Sequence, residues 1–281
     1  MNLSHITPAQ QTILTLLYRY RFLERKHIQQ LLGHTNKSRT IRWLKDLREK
    51  GYIEWLYDAY NPATKSSSIP AIYFLSANGI RWLRQQGYLE TELHKRHKDR
   101  ERQPDFIDRC LLLADCCLHL QGRNNNTNDL VHYDYAVETD YLDPDSKYHF
   151  LAASECIRPN LVFTKAYREG DETMHQTYLV ELFDITTPRY MVKKKLKSYI
   201  EFLDSDEWEE AQQKSSKLSD ELPIILIACP ALRDMIYAKR YIRQQLTNIW
   251  DDSIPEDVKL RVSTMDKIRT KGMTAVIWEQ A

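Results

Sequence analysis

The segment YLVELFDITT (Tyr178–Thr187) decides the fold class of this chain. It is apolar and rich in residues that favour strands, which predicts a buried strand, yet it carries two acids, Glu181 and Asp184. A shorter strand candidate, RPNLVF (Arg158–Phe163), precedes it, and a lysine-rich run, MVKKKLKSY (Met191–Tyr199), follows it. Acids on neighbouring strands beside a lysine are typical of metal-dependent nucleases, so the first question is whether these residues form such a site.

The surrounding sequence extends this pattern into a whole domain. An apolar helix is predicted at residues 105–121 and a strand at Asp134–Leu142. Beyond the lysine-rich helix, at residues 189–203, we predict a buried strand (Pro223–Pro230), a helix through AKRYIRQQL and a final strand (Met273–Gln280). This order predicts an α/β domain over residues 105–281, with helices covering a central mixed sheet.

Charge is distributed unevenly along the 281 residues, although the net charge is only +1. Residues 1–104 hold 18 Lys and Arg against 9 Asp and Glu, a balance of +9. Residues 105–281 hold 22 against 30, a balance of −8. Such asymmetry indicates a nucleic-acid-binding N-terminal domain joined to a domain with different partners.

Several classes of protein are disfavoured by the composition. No apolar run approaches the roughly 20 residues that span a bilayer, and the N-terminus does not read as a signal peptide. The five cysteines are an odd number and include an adjacent pair, Cys116 and Cys117, so they do not indicate a disulfide framework. We therefore expect a cytoplasmic protein without membrane partners, and the absence of paired CxxC motifs argues against a structural zinc site.

The N-terminal third begins with three predicted helices. Thr7, Pro8 and Gln10 form a helix-start signal before the first, and Gly33 is the predicted end of the second. In the third, NKSRTIRWLKDLREKGYI, we predict an apolar face made by Ile41, Leu44 and Leu47. Two strand candidates follow, at Tyr52–Tyr60 and Ala71–Ser76, with a polar loop between them, and a further helix completes the segment.

This order predicts a winged helix-turn-helix domain over residues 1–92, followed by a charged linker at 93–104 that is either exposed or an extended helix. In such domains the third helix enters the major groove and the wing reaches a flanking groove. A solvated helix face and a protein-interaction role are the alternatives. The predicted DNA contacts are Lys37, Ser38, Arg39, Thr40, Arg42 and Lys45 of the third helix and Lys65 of the wing.

The whole chain resembles the replication-relaxation family of plasmids and mobile elements. At the N-terminus the resemblance lies in the first and third helices and in IYFLSANGIRWL. In the C-terminal part it lies in the order RPNLVF, YLVELFDITT, KKKLKSYIEF and PIILIA, which is also the order of the restriction-endonuclease-like core. The resemblance implies a winged-helix DNA-binding protein that assists plasmid replication or relaxation of transfer DNA.

The chain departs from the acid pattern that such nuclease-like domains often show. Asn160 stands where an aspartate would follow the proline, and Phe183 occupies the lysine position. On an alternating strand Glu181 and Asp184 also point to opposite faces, so both cannot ligate one metal. Their alternative role is pairing with Arg158 or with the lysine run. We therefore expect an inactive core without enzyme activity or cofactor.

The leading interpretation is a double-stranded-DNA-binding accessory protein, a homo-oligomer whose α/β domain mediates self-association or recruits a replication or relaxation protein. The first alternative is a nuclease that uses Mg²⁺ with Glu138, Asn160, Glu181 and Lys195. The second is a winged-helix transcription regulator whose C-terminal domain senses a small molecule, which a deep apolar pocket with a few polar groups would favour.

Overall fold

The computed structural model describes residues 4–56, 70–126, 131–154, 157–214, 218–219, 221–250 and 254–281. The chain divides into two compact units, Met1–Leu118 and His119–Ala281. The helices and strands of the first unit are α1 (Pro8–Tyr20), β1 (Leu23–Glu24), α2 (Arg25–Leu31), α3 (Lys37–Glu49), β2 (Ile53–Leu56), β3 (Ile72–Leu75), α4 (Ala77–Gln85), α5 (Glu90–Arg96), a 3₁₀ turn (Asp99–Glu101) and α6 (Pro104–Asn126). The boundary between the units falls within α6.

The helix-start signal predicted at Thr7 and Pro8 and the helix end predicted at Gly33 are both found in the first unit. At the start of α1 the backbone N–H of Thr7 donates to Oε1 of Gln10 at 2.9 Å, and Pro8 occupies the first helical position. After α2, Gly33 adopts a positive φ of 63°, the left-handed conformation that glycine takes at no steric cost. The three short strands pair antiparallel in the order β1-β3-β2.

The segment predicted as a linker, residues 93–104, is instead built into the first unit. Arg96 is buried, and its guanidinium donates to the Glu92 carboxylate at 2.9 Å and to the backbone carbonyl of Tyr18 at 2.9 Å. Asp99 is also buried and forms an ion pair with Arg21. Charge alone indicated solvent exposure, but here Arg96 and Asp99 are buried because each pairs with a group of opposite charge.

The described residues of the second unit contain twelve further elements and one central sheet. They are β4 (Val131–Val137), a 3₁₀ turn (Asp140–Leu142), α7 (Phe150–Ala153), β5 (Leu161–Glu169), β6 (Glu172–Leu182), α8 (Arg189–Leu203), α9 (Glu207–Lys214), β7 (Ile224–Cys229), α10 (Leu232–Trp250), β8 (Leu260–Thr264), α11 (Met265–Lys271) and β9 (Glu279–Gln280). The strands lie in the order β4-β5-β6-β7-β8-β9. The β6–β7 and β7–β8 pairs are parallel and the others antiparallel, so the predicted mixed sheet is confirmed.

Four predicted strands of the second unit have clearly different bounds in the structure. Strand β4 ends at Val137, and β5 and β6 extend into a long hairpin that turns at Gly170 and Asp171. The polar stretch in this hairpin lacks a clear apolar alternation, but its backbone is satisfied by the ladder between the two strands. The predicted final strand is reduced to Glu279–Gln280, and the last long parallel strand is β8.

The core of the second unit lies between one sheet face and the helices α8 and α10. Alternate residues of the central strands point to this face, among them Val162, Leu179, Ile225 and Leu260, which pair in one row across four strands. The helices contribute Leu196, Ile200, Ala238, Ile242 and Leu246 to the same cluster. This packing fixes the position of α8 over the end of β6, where Glu181 lies.

None of the helices in the described part of the chain combines the length and apolar character that a membrane span requires.

Candidate functional site

Helix α3 exposes a run of basic and polar side chains in its first two turns. Its N-cap is Asn36, whose side-chain oxygen accepts a hydrogen bond from the backbone N–H of Arg39 at 3.0 Å. Five of the six helix residues predicted to contact DNA are exposed: Lys37, Ser38, Arg39, Arg42 and Lys45. The cap therefore stabilises the end of the helix from which these side chains project.

Thr40 was predicted as a DNA contact, and the structure contradicts that prediction. The residue is fully buried at 0% exposure, and its hydroxyl donates to the backbone carbonyl of Asn36 at 3.4 Å. It lies on the inward face with Leu44 and Leu47, whereas Ile41, predicted to be inward, is 44% exposed. A threonine fits a packed face because its hydroxyl can be satisfied by the preceding turn of its own helix.

The exposed cations of α3 are largely unneutralised. Among the residues that the structure describes, Lys37, Arg39 and Arg42 have no ion-pair partner, and Lys45 faces Glu49 at 3.7 Å with both side chains exposed. Trp43 is half-buried, and its ring centre lies 5.0 Å from that of His34, so it packs against the segment that follows α2. Lys65 lies outside the described residues.

The second candidate site is centred on Glu181, a carboxylate of β6 that is 1% exposed. Lys195 and Tyr199 reach it from α8, where a spacing of four places them on one face. The Lys195 ammonium donates to Oε1, and the Tyr199 hydroxyl donates to Oε2 at 2.9 Å. Burial, reinforced by the carboxylate, raises the pKa of Tyr199 well above its usual value, so the phenol keeps the proton that it donates.

Asn160 is next to Glu181 in the sheet but serves the backbone. Its N–H donates to the carbonyl of Val180 at 2.9 Å, and its side-chain oxygen accepts from the N–H of Leu182 at 2.7 Å. The side chain thus extends the β5–β6 ladder by one step beyond Leu161. An amide supports this role well, because its oxygen accepts the bond without adding a second negative charge beside Glu181.

Two further acids considered as site residues, Glu138 and Asp184, lie near this end of the sheet. Glu138 directly follows Val137, which pairs with Leu161, so it lies at the same sheet end as Asn160. Asp184 lies beyond the end of β6, so strand alternation does not govern its direction. Its Oδ1 accepts hydrogen bonds from the backbone of Thr186 at 3.1 Å and from the hydroxyls of Thr186 and Thr187 at 2.6 and 3.0 Å, which orders the turn into α8.

This set of donors does not fit a divalent metal. Mg²⁺ is usually bound through one or two carboxylates with a free oxygen, but both oxygens of Glu181 are engaged by α8 and the oxygen of Asn160 is engaged by Leu182. Within the described ranges, no three His, Cys, Asp or Glu side chains form a group that could hold a metal ion. The predicted pairing of Glu181 with the lysine run is observed. The role of Tyr199 was missed, and its spacing of four from Lys195 was the available signal.

Comparison with solved structures returned the restriction endonuclease FokI, alone and bound to DNA. For FokI alone, identity is 11% and the TM-score 0.33, and the match covers 94% of this chain and 43% of that one. For FokI bound to DNA, identity is 10% and the TM-score 0.26, and the match covers 96% of this chain and 45% of that one. The chain thus spans less than half the length of these proteins, and scores this low carry no argument about the fold, which rests on the sheet topology above.

No curated protein sequence matches the chain at a significant level. The sequence profile of the replication-relaxation family, in contrast, matches residues 14–218. The matched range includes α3 in the first unit and Asn160, Glu181 and α8 in the second, so it covers both candidate sites and well over half of the chain. The protein described here therefore belongs to the replication-relaxation family.

Proposed function

We propose that the protein binds double-stranded DNA through its first unit and acts as an accessory factor in replication or relaxation of a plasmid or other mobile element. Membership of the replication-relaxation family supports the role in replication or relaxation. The order α1-β1-α2-α3-β2-β3, with its strands in one small antiparallel sheet, supports the interpretation of the first unit as a winged helix.

The observation that carries the proposal is the basic outer face of α3. The buried residues of this helix, Thr40, Leu44 and Leu47, hold it against the unit, and Arg42 and Lys45 project from the other side. Unneutralised cations on the reading helix attract the phosphates of duplex DNA and reach base edges in the major groove. Ile41 adds an apolar group to this face that is available to a thymine methyl.

For the second unit we propose a binding role without phosphodiester hydrolysis and without a cofactor. Large exposed apolar side chains occur where β6 and β7 end, namely Ile185, Tyr190, Leu232 and Ile236. Exposed apolar groups concentrated in one region are typical of protein-interaction sites. They support self-association or recruitment of a replication or relaxation protein, in agreement with the acidic balance of this part of the chain.

The test is the double variant Arg39→Ala/Arg42→Ala, assayed for binding to duplex DNA by fluorescence anisotropy. We expect at least a tenfold loss of affinity, because charge-assisted contacts contribute about 1–3 kcal/mol each. In the wild type, affinity should fall steeply with salt. The matched control is Arg168→Ala/Arg240→Ala, which removes two exposed cations from the second unit. Equal affinity for the α3 variant and the wild type, with both proteins folded, would sink the proposal.

A further inference from the structure

A cavity of about 220 Å³ lies in the second unit, on the sheet face opposite to α8 and α10. Its lining includes three aromatic side chains of neighbouring strands, Tyr133 of the edge strand β4, Phe163 of β5 and Tyr178 of β6. Two cations, Lys165 and Arg261, also line it. Trp278 belongs to the segment that covers this face. Neither Glu181 nor the helices of the apolar core take part in it.

The register of the sheet brings these side chains together. Tyr133 pairs with Lys165, Phe163 pairs with Tyr178, and Arg261 pairs with Leu226 on the parallel side. Side-chain hydrogen bonds order the covering segment. The indole N–H of Trp278 donates to the Met273 carbonyl at 2.7 Å, the Ser263 hydroxyl donates to the Ile277 carbonyl at 2.9 Å, and the His119 imidazole is hydrogen-bonded to the Thr274 hydroxyl at 2.7 Å. The fully exposed Val276 belongs to the same lining, so the cavity opens to solvent.

The cavity combines aromatic faces with unneutralised positive charge. Phe163 and Tyr178 stack at 4.5 Å with an interplanar angle of 10°, and Tyr133 lies 6.2 Å from Phe163. Lys165 and Arg261 are both half-buried, and neither has an acidic partner among the described residues. The Lys165 ammonium lies 4.9 Å from the centre of the Tyr167 ring. Burial raises the pKa of Tyr178, and the nearby Arg261 cation opposes that rise. Two cations beside aromatic rings and without acidic partners favour an anion that carries an aromatic group.

We propose that this cavity binds one nucleotide, with the base against the aromatic wall, the phosphate on Arg261, and Lys165 adding positive charge at the other end of the wall. Aromatic faces bind any nucleobase by stacking, and arginine and lysine bind phosphate by charge-assisted hydrogen bonds. The cavity is smaller than the roughly 300–1,000 Å³ of sites for drug-sized ligands, which suits a single base rather than a large cofactor. The nucleotide is either a free nucleoside monophosphate or one unit of single-stranded DNA.

The test uses the full-length protein and isothermal titration calorimetry with four kinds of probe. They are the four deoxynucleoside 5′-monophosphates, the corresponding nucleosides, inorganic phosphate and the oligonucleotide (dT)₁₀. We expect the monophosphates or (dT)₁₀ to bind at least tenfold more tightly than nucleoside or phosphate alone, because both the ring and the anion are recognised. Binding of the monophosphates identifies a free-nucleotide site, and binding of (dT)₁₀ alone identifies a single-strand site.

Variants at the two cations assign the binding to this cavity. Arg261→Glu and Lys165→Met should each weaken it at least tenfold, Arg261→Lys should restore part of it, and Lys197→Met, an exposed α8 cation paired with Glu201, should leave it unchanged. Both cavity cations are partly exposed, and circular dichroism checks that the variants fold. The cavity variants should also keep the duplex affinity of the wild type, which separates this site from α3. Absence of binding by every probe, or full binding in Arg261→Glu, would overturn the proposal.

Discussion

A single carboxylate, Glu181, ties α8 to the central sheet. A buried charge is tolerated only when it is paired and hydrogen-bonded, and both conditions are met by two residues of the same helix face. Lys195 is 36% exposed and keeps part of its hydration, whereas Tyr199 is 1% exposed and contributes a neutral donor. The three side chains therefore form a structural contact whose strength depends on the hydroxyl as well as on the ion pair.

Replacing Tyr199 with phenylalanine isolates the hydroxyl. We expect the free energy of unfolding to fall by about 1–3 kcal/mol, because one oxygen of a buried carboxylate loses its donor while the ring volume is kept. Urea denaturation followed by circular dichroism measures the change. Tyr190→Phe is the control, since Tyr190 is 69% exposed and should show almost no loss. An unchanged midpoint for Tyr199→Phe would mean that Glu181 is satisfied without it.

Gly79, in the first turn of α4, permits a close approach of that helix to the backbone that follows α3. A Cβ at this position would lie well inside contact distance of the Tyr52 carbonyl oxygen and 3.1 Å from a Leu75 methyl group. We expect Gly79→Ala to destabilise the protein by about 1–3 kcal/mol, as overpacking does. Gly122 occupies a helical position of α6 where an added Cβ would have no atom within 4 Å. Gly122→Ala should therefore stabilise the protein by about 0.5–1 kcal/mol. Thermal unfolding should show a lower melting temperature for Gly79→Ala and a higher one for Gly122→Ala than for the wild type. Equal shifts in the two variants would contradict this account.

At the scale of elements, the start of α6 completes the first unit. Ile107 and Cys110 are buried against Phe22, Ile72 and Phe74, so this helix packs on the same strands that follow α3. A second link joins α6 to α2, where the imidazole of the buried His27 lies 3.0 Å from the Asp115 carboxylate. The unit therefore needs residues beyond 104 to bury its own apolar surface.

This packing predicts different stabilities for two N-terminal fragments. Residues 1–104 lack α6, whereas residues 1–126 include it. We expect the shorter fragment to be less stable by at least about 2 kcal/mol, since full burial of one large apolar side chain contributes about 1.5–3 kcal/mol. Urea denaturation of both fragments measures the difference. Identical unfolding curves would show that α6 contributes nothing to the first unit.

At the scale of the whole molecule, we propose that the first unit binds DNA and that the second unit does not hydrolyse it. The basic balance of the N-terminal part agrees with a DNA-binding first unit, and the acidic second unit contains a sheet end where one carboxylate is already neutralised. Metal-assisted hydrolysis requires a metal to generate hydroxide and to stabilise developing charge. We propose that the second unit does not carry out this chemistry, because the oxygens of Glu181 and Asn160 are already engaged in hydrogen bonds.

We accordingly predict no cleavage of DNA by the purified protein. Supercoiled and linear DNA should remain intact with Mg²⁺ or Mn²⁺ over a time in which a matched nuclease control digests both, as followed on agarose gels. Glu181→Gln and Asn160→Asp are compared with the wild type after their stability is checked. Nicking by the wild type that disappears in a stable Glu181→Gln variant would overturn the assignment and favour the nuclease alternative.

The sequence by itself determined the elements whose signals are local. The capping pair Thr7 and Gln10, the stop at Gly33, the bounds of α8 and the buried strand β7 follow from spacing and composition, because a helix start or an apolar run is specified by residues close in the chain. Family membership was likewise readable from the order of motifs along the chain. The cationic residues of α3 were also identified at this level.

Only the tertiary structure decided which faces and partners these elements use. Thr40 is buried and Ile41 exposed because packing selects the inward face of α3. Arg96 and Asp99 are buried because they meet partners about 80 positions away in the chain. Glu181 accepts a hydrogen bond from Tyr199 because α8 lies over the end of β6. Lys165 and Arg261 line one cavity because the register of the strands places both on the same face of the sheet. Such contacts join residues distant in sequence, so local patterns do not encode them, and the closed fold selects them by satisfying charge and excluding water.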